Sequence, residues 1–241
     1  MKAVKFIPNT ITSLNLLCGV VGVIFTFEGY IEYAFLMMIA AAIFDFLDGF
    51  AARMLNAYSD IGKELDSLSD MVSFGVLPSL MLFKTMDNSG AGSIMKWMTL
   101  AVAVFSALRL AKFNVDKRQG NDFIGLATPS SAMICGSLAY YAAAIPESWL
   151  TSLAGSVWFL PAVAIILSAL MVSEIPMFSM KFGKGKTVTE GAKIKRTAFL
   201  SIIAILVIIV VAAGLNWSVT VLLTFVVYIL MNLIFRIFPS F

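Results

Sequence analysis

Long apolar runs separated by short polar breaks organise the chain from end to end. A transmembrane helix needs about 20 mainly apolar residues, because each residue adds only about 1.5 Å along the helix axis. The runs therefore predict an all-α integral membrane protein with about eight transmembrane helices. The predicted spans cover residues 8–27, 33–55, 60–83, 94–113, 129–144, 153–172, 198–215 and 219–237, and the fifth is the shortest.

Composition supports the membrane assignment. Hydrophobic residues make up 60% of the chain and charged residues 13%, whereas a soluble domain is nearer half apolar and a quarter charged. Because the apolar excess lies in the long runs, no room remains for a separate soluble module, and residues 1–241 are predicted to form a single membrane domain. The net charge of +3 is small, and no nucleic-acid partner is expected.

The basic residues lie mainly on one side of the predicted bundle, which indicates that this side faces the cytoplasm. An even number of spans then places both termini there, and a prokaryotic cytoplasmic membrane is expected. Segment 181–196 holds six basic residues and one acid. It is interpreted as a topology determinant that also touches anionic lipid, with a nucleotide or substrate contact as the alternative. The cytoplasmic set is Lys2, Lys5, Arg53, Lys112, Lys117, Arg118, segment 181–196 and Arg236, and the opposite loops carry Glu28, Glu32, Lys84, Asp87, Lys96 and Glu147.

Four aspartates stand out within the second and third predicted spans, where ionised groups are costly and usually functional. Successive helical residues turn by about 100°, so Asp45 and Asp48 share one face of the second helix. Asp66 and Asp70 share one face of the third, and residues 56–59 form a short turn between the two helices. The hairpin is therefore predicted to bring four carboxylates together near the cytoplasmic surface. The small residues Gly49, Ala52 and Gly62 lie on the same faces.

Four carboxylates cannot stay ionised in a dry site without cations. Oxygen ligands favour hard ions such as Mg²⁺, Mn²⁺ or Ca²⁺. The chain has no histidine, and Cys18 and Cys135 lie far apart in apolar spans, so zinc is disfavoured. Divalent ions beside such a cluster suit phosphoryl transfer, because they neutralise a pyrophosphate as it breaks. Arg53 could hold a phosphate oxygen, and Asp70, one turn deeper than Asp66, could activate an acceptor hydroxyl.

A cation-coupled transporter that uses the aspartates as an ion relay is the rival from another class. Transporters of that kind commonly show internal repeats and helices broken near the midplane. The sequence has no evident repeat, and its acids gather at one membrane face. A purely structural membrane subunit has no use for four facing carboxylates.

The sequence from Asp45 to Asp70 resembles the signature of the CDP-alcohol phosphotransferase family, D-x2-D-G-x2-A-R-x8-G-x3-D-x3-D, at all eight fixed positions. The resemblance implies that Asp45, Asp48 and Asp66 bind a pair of metal ions, Mg²⁺ or Mn²⁺, with Ca²⁺ as a substitute or inhibitor. Asp70 would bind metal or act as the base. It also implies a homodimer whose site opens to the cytoplasm. Residues assigned to the nucleotide and its phosphates are Asn9, Thr12, Gly49, Ala52, Arg53 and Gly62.

Several further stretches resemble the branch of this family that makes phosphatidylserine, which typically has eight spans. They are residues 8–15, 65–75, 107–114, 123–129 and 173–177. The resemblance implies transfer from CDP-diacylglycerol to L-serine by a core of about residues 8–177, with two extra helices at about 197–238. Glycerol 3-phosphate, an inositol phosphate and an ether-lipid donor remain alternatives.

Serine is a zwitterion, so its site needs a cation for the carboxylate. Arg109 is a plausible partner near the cytoplasmic end of the fourth span, and Lys112 is one turn further on. The alternative for both is a basic side chain that reaches from a helix end to the interface. Ser73 and Thr128 complete the predicted acceptor site, although such residues commonly form hydrogen bonds between helices instead. The expected partners are thus CDP-diacylglycerol, L-serine, membrane lipids and a second copy of the chain.

Overall fold

The structure, a computed structural model, describes residues 6–89, 94–116, 123–178 and 190–237. These residues are almost entirely helical, which confirms the predicted class. The α-helices are α1 Phe6–Glu28, α2 Ile31–Met54, α3 Asp60–Asp70, α4 Leu77–Asn88, α5 Ala101–Val115, α6 Thr128–Ala144, α7 Trp149–Ala154, α8 Phe159–Val172, α9 Glu190–Ala212 and α10 Ser218–Ile237. A π-helical segment, Met71–Val76, joins α3 to α4, and a 3₁₀ segment, Ile94–Leu100, precedes α5.

Within the described ranges, six helical stretches are long and apolar enough to cross a membrane, where the sequence predicted eight. The fifth predicted span forms α6, which has 17 residues, of which twelve are buried among other helices. The sixth is divided, because α7 ends at Ala154 and α8 begins only at Phe159. The 14 residues of α8 are apolar but short. The six stretches are Phe6–Glu28, Ile31–Met54, Asp60–Asn88, Ile94–Val115, Ile194–Ala212 and Ser218–Arg236.

The third span runs without interruption from Asp60 to Asn88, but its middle turns are π-helical. Pro78 gives the physical reason. Within a regular α-helix its ring would clash with the carbonyl four residues earlier, and its missing N–H would leave that carbonyl unpaired. A wider π turn relieves this conflict, and such turns often lie beside functional sites. Here the π segment begins directly after Asp70.

Helix α1 packs closely on α2 and α3, and this contact positions the aspartates. At Gly19 the approach is so close that a Cβ atom would collide with Ser73 of the π segment. Small residues of this kind let membrane helices come together. Below this contact the core is apolar, with Phe35, Phe74 and Met81 fully buried.

Two short strands, β1 (Phe123–Ile124) and β2 (Pro176–Met177), pair antiparallel beside the start of α6. Gly125 follows β1 with φ of +77°, and its N–H donates to the Ile175 carbonyl at 2.9 Å. A Cβ atom at Gly125 would lie 2.5 Å from the Met171 carbonyl oxygen and 2.9 Å from that of Ser173. Both obstacles are backbone atoms, so the site tolerates only glycine.

The substitution Gly125→Ala should therefore destabilise the protein by at least about 2 kcal/mol, or roughly 5 °C in melting temperature. Gly29→Ala is the matched control, because Gly29 has φ of +89° with no atom near its missing Cβ. That variant should lose only about 1 kcal/mol from the left-handed backbone. Thermal unfolding of the detergent-solubilised variants measures both values, and equal losses would contradict the close contact at Gly125.

Candidate active site

A cluster of three carboxylates forms the centre of the site. Asp45 and Asp48 come from the last turns of α2, and Asp66 comes from the middle of α3. One oxygen from each of the three lies within 4.8 Å of the others. The turn between the helices is fixed by Ser59, whose Oγ accepts a hydrogen bond of 3.0 Å from the N–H of Gly62 and so caps α3. Such a cap satisfies one of the free N–H groups at a helix start.

The cluster fits a divalent cation. Asp48 is only 6% exposed, and it lies beside Thr12 of α1, whose hydroxyl donates to the Pro8 carbonyl at 3.0 Å. Its Oδ2 atom is fully buried and has no hydrogen-bond partner among the described residues. A buried carboxylate oxygen without a partner is costly. A hard cation shared with Asp45 and Asp66 would remove that cost, since it prefers oxygen ligands. These three residues could therefore hold a metal ion.

Asp70 lies beside this cluster and not within it. It is 9% exposed, and its Oδ1 accepts a hydrogen bond of 3.2 Å from Asn15 Nδ2 of α1. It is close enough to interact electrostatically with Asp45, Asp66 and Asp48. The structure thus groups three of the four predicted ligands and leaves the fourth adjacent, where it can act on a molecule bound next to the cluster.

The residues assigned to the nucleotide lie on α1, α2 and α3 around the carboxylates. A Cβ atom at Gly62 would come within 2.8 Å of Asn9 Oδ1, so α1 and α3 touch here. Arg53 is exposed, and its Nη1 lies 3.6 Å from where a Cβ of Gly49 would be. The surface above Gly49 on α2 is therefore open apart from the Arg53 side chain. The full set is Asn9, Thr12, Gly49, Ala52, Arg53 and Gly62.

Arg109 and Thr128, two of the four residues predicted for the acceptor, are brought together. Arg109 is 8% exposed, and its Nη1 donates to Thr128 Oγ1 at 3.1 Å. Its guanidinium carbon lies 5.3 Å from the ring centre of Phe113, and the group interacts electrostatically with Asp70. The Arg109 Nε is buried with no hydrogen-bond partner in the part of the chain that the structure describes.

The other two predicted acceptor residues are placed differently. Ser73 Oγ donates to the Asn15 carbonyl at 3.0 Å, which ties the π segment to α1. Lys112 is exposed, and its Nζ lies 3.5 Å from the Val172 carbonyl at the end of α8. Ser73 thus forms a hydrogen bond between helices, the alternative weighed for it from the sequence, and the role of Lys112 stays a prediction.

Asn15 was not singled out as a site residue from the sequence, although its amide holds Asp70. The sequence signal for Asn15 was a row of polar residues on the third span that faces α1; this contact is called the polar seam. Ser69 Oγ lies 3.2 Å from the Thr12 carbonyl, one turn before the Ser73 contact. Ser69, Asp70 and Ser73 share a helix face, and polar residues on one such face inside a membrane indicate a polar partner.

Together, the fold and the cluster define a class, a polytopic membrane protein with a carboxylate cluster that could hold a metal ion at the end of a helical hairpin. The CDP-alcohol phosphatidyltransferase family profile matches residues 5–155. The chain belongs to this family and is an integral membrane protein with six candidate spans.

Curated relatives carry the name CDP-diacylglycerol–serine O-phosphatidyltransferase. The Mycobacterium bovis protein is 35% identical over 188 residues, which are 73% of this chain and 62% of that protein. The Bacillus subtilis protein is 36% identical over 54% of this chain and 72% of its own length. The Methanocaldococcus jannaschii protein is 30% identical over 73% of this chain and 75% of its own length. The chain thus spans only about three fifths of the mycobacterial relative.

Proposed function

We propose that this protein transfers a phosphatidyl group from CDP-diacylglycerol to the hydroxyl group of L-serine, giving phosphatidylserine and CMP. The observation that carries the acceptor assignment is Arg109, a buried guanidinium beside Asp70 whose Nε has no hydrogen-bond partner among the described residues. A buried cation with a free donor needs an anion. The names of the relatives from three genera point to the same reaction.

The charge around Arg109 favours an amino acid over a phosphorylated acceptor. A phosphate carries about two charges and calls for more than one cation. The nearby lysines contact other groups. Lys63 Nζ donates to the Asn114 carbonyl at 3.3 Å, and Lys112 is exposed, with its Nζ 3.5 Å from the Val172 carbonyl. The single positive charge of the Arg109 guanidinium balances the single negative charge of the serine carboxylate. Serine carries its hydroxyl within one side-chain length of its carboxylate, so it can reach Asp70 while Arg109 holds the carboxylate.

The proposed reaction needs one proton transfer and one displacement. Asp70 takes the proton from the serine hydroxyl, and the oxygen attacks the phosphorus that carries the diacylglycerol. The bond from that phosphorus to the bridging oxygen breaks, and CMP leaves with the electron pair. Mg²⁺ or Mn²⁺ at Asp45, Asp48 and Asp66 would supply electrostatic stabilisation of the pyrophosphate charge. Ca²⁺ prefers the same oxygen ligands and would substitute or inhibit. Arg53 contributes a phosphate contact.

Eight membrane passes, with the site and both termini in the cytoplasm, are part of the proposal. Because α6 is enclosed by other helices, it need not meet the length and hydropathy that lipid contact demands. Arg53, Lys112 and Arg236 lie at helix ends on the same side as the carboxylates. Lys2, Lys5, Lys117, Arg118 and residues 181–189 lie outside the described ranges. The core of residues 8–177, the extra helices at 197–238 and a homodimer are inferred from the family resemblance.

An acceptor panel tests the proposal. Protein purified in detergent is incubated with CDP-diacylglycerol and Mn²⁺ or Mg²⁺, and CMP release is followed with each acceptor. We expect release with L-serine, loss of that release with EDTA, and little release with ethanolamine, which keeps the hydroxyl and ammonium but lacks the carboxylate. Release with glycerol 3-phosphate or an inositol phosphate would overturn serine. A folded protein without metal-dependent release for any acceptor would overturn the transferase.

A further inference from the structure

Helices α9 and α10 lie beyond the 5–155 region that defines the family. A helix that serves only to anchor a protein needs no buried polar side chains on its protein-facing side. Beyond Ser218 at its first position, helix α10 has two, Tyr228, which is 8% exposed, and Asn232, which is 3% exposed. It packs against α6 and against strand β2. Buried polar groups within a membrane protein call for a specific partner.

Both side chains bind the backbone of one residue, Phe178. Tyr228 Oη donates to the Phe178 carbonyl at 2.9 Å, and the Phe178 N–H donates to Asn232 Oδ1 at 2.8 Å. Asn232 Nδ2 also donates to the Tyr228 carbonyl at 2.7 Å, which fixes the amide. Phe178, Phe199 and Tyr228 pack edge to face, with ring centres 5.1–5.8 Å apart. Helix α10 therefore forms hydrogen bonds with both the N–H and the carbonyl group of Phe178, the residue directly after β2.

A continuous series of contacts leads from Phe178 to the acceptor residues. Its neighbour Met177 pairs with Phe123 in the two-strand ladder. The two residues that follow β1 are also held by backbone hydrogen bonds, since Gly125 N–H donates to the Ile175 carbonyl and Leu126 N–H to the Leu170 carbonyl, both at 2.9 Å. Thr128 then begins α6 and accepts the hydrogen bond from Arg109.

Arg109 lies at the end of this series of contacts. Its guanidinium interacts electrostatically with Asp70. The only side-chain hydrogen bond that orients its guanidinium within the described residues is the one to Thr128. The orientation of Arg109 thus depends on where the start of α6 is held, and α10 holds it through Phe178.

We propose that Tyr228 and Asn232 are positioning residues for the acceptor site, and that α10 completes that site by holding Arg109 and Thr128 opposite Asp70. The role rests on the proposed function, because the acceptor is taken to be L-serine. It assigns the helix outside the family region a part in acceptor binding, while donor binding stays with α1, α2 and α3.

Tyr228→Phe tests this role, because it removes one hydroxyl group and keeps the ring in its cluster. We expect the KM for L-serine to rise about five- to tenfold, the loss that one hydrogen bond typically carries. The kcat at saturating serine and the KM for CDP-diacylglycerol should change less than about twofold, since a displaced binding group affects mainly ground-state binding. Asn232→Leu should raise the serine KM in the same way.

Tyr140→Phe is the matched control. Its hydroxyl accepts a hydrogen bond of 3.1 Å from Trp217 Nε1, directly before α10 at the other membrane face. It should leave the serine KM unchanged while costing similar thermal stability. An unchanged serine KM in Tyr228→Phe and in folded Asn232→Leu, or an equal rise in Tyr140→Phe, overturns the positioning role alone. A wild type without serine-dependent CMP release overturns the proposed function, and this role with it.

Discussion

Replacing Asp48 with asparagine should lower metal-dependent CMP release by about 10³-fold, because the metal supplies several kcal/mol of charge stabilisation in the transition state. The substitution keeps the shape of the side chain and its contact with Thr12. It removes the negative charge of the carboxylate, whose Oδ2 is buried and has no hydrogen-bond partner among the described residues. The assay is CMP release at saturating CDP-diacylglycerol and L-serine, with Mn²⁺ titrated.

A second measurement separates a metal role from a catalytic role. Mn²⁺ at about 100 times its dissociation constant should stabilise the wild type by about 2.7 kcal/mol, roughly 5–10 °C in melting temperature. Asp48→Asn should lose that shift, and its metal-free form should melt no lower than the wild type, because a buried charge has been removed. Asp60→Asn is the matched control, as Asp60 is exposed at the start of α3. Retention of the Mn²⁺ shift in Asp48→Asn would contradict the metal site.

The convergence of Asp45, Asp48 and Asp66 was predictable because helical spacing and a short turn determine it. Residues three apart on α2 share a face, and the short turn folds α3 back toward that face. The positions of the spans followed from hydropathy for the same reason, since lipid contact imposes a strong compositional constraint. Where a helix touches little lipid, as α6 does, the constraint is weak, so hydropathy says less about the length of that helix.

Features that depend on tertiary contacts were not predictable. The π turn after Asp70 arises from Pro78 inside a continuous helix, and the sequence alone suggests a break or a kink equally well. Lys112 and Ser73 fit the acceptor site by spacing, yet one is exposed and the other binds the α1 backbone. Local spacing determines on which face of a helix a side chain lies. It does not determine which polar groups of the neighbouring helices that side chain will contact.

The polar seam between α1 and the third span explains how a charged site can persist at the membrane surface. Ser69 Oγ lies 3.2 Å from the Thr12 carbonyl, Ser73 Oγ donates to the Asn15 carbonyl, and the Asn15 amide donates to Asp70, so protein groups take the place of water here. Each bond is modest, but the unpaired alternative inside a bilayer is costly, so the seam favours one register of the two helices. That register sets the depth of Asp70 relative to the three-carboxylate cluster, as the proposed division between a proton acceptor and cation ligands requires.

Asp70→Asn should therefore lower kcat by about 10² to 10⁴-fold, the usual contribution of a general base, while leaving metal affinity nearly unchanged. The asparagine oxygen can still accept the hydrogen bond from Asn15 Nδ2, so the local structure should persist. The Mn²⁺-induced rise in melting temperature should stay within about 2 °C of the wild type. This combination distinguishes Asp70 from Asp48, for which activity and the metal shift should disappear together.

Asn15→Leu provides the graded comparison, since it keeps the Asp70 carboxylate and removes only the hydrogen bond that orients it. We expect a kcat loss of roughly tenfold, consistent with one misplaced hydrogen-bonded group. If Asp70→Asn abolishes the Mn²⁺ shift along with activity, Asp70 is a metal ligand and the proton must go to another acceptor. If the variant keeps more than about a tenth of wild-type kcat, well above the residual rate expected without a general base, Asp70 does not serve as the base.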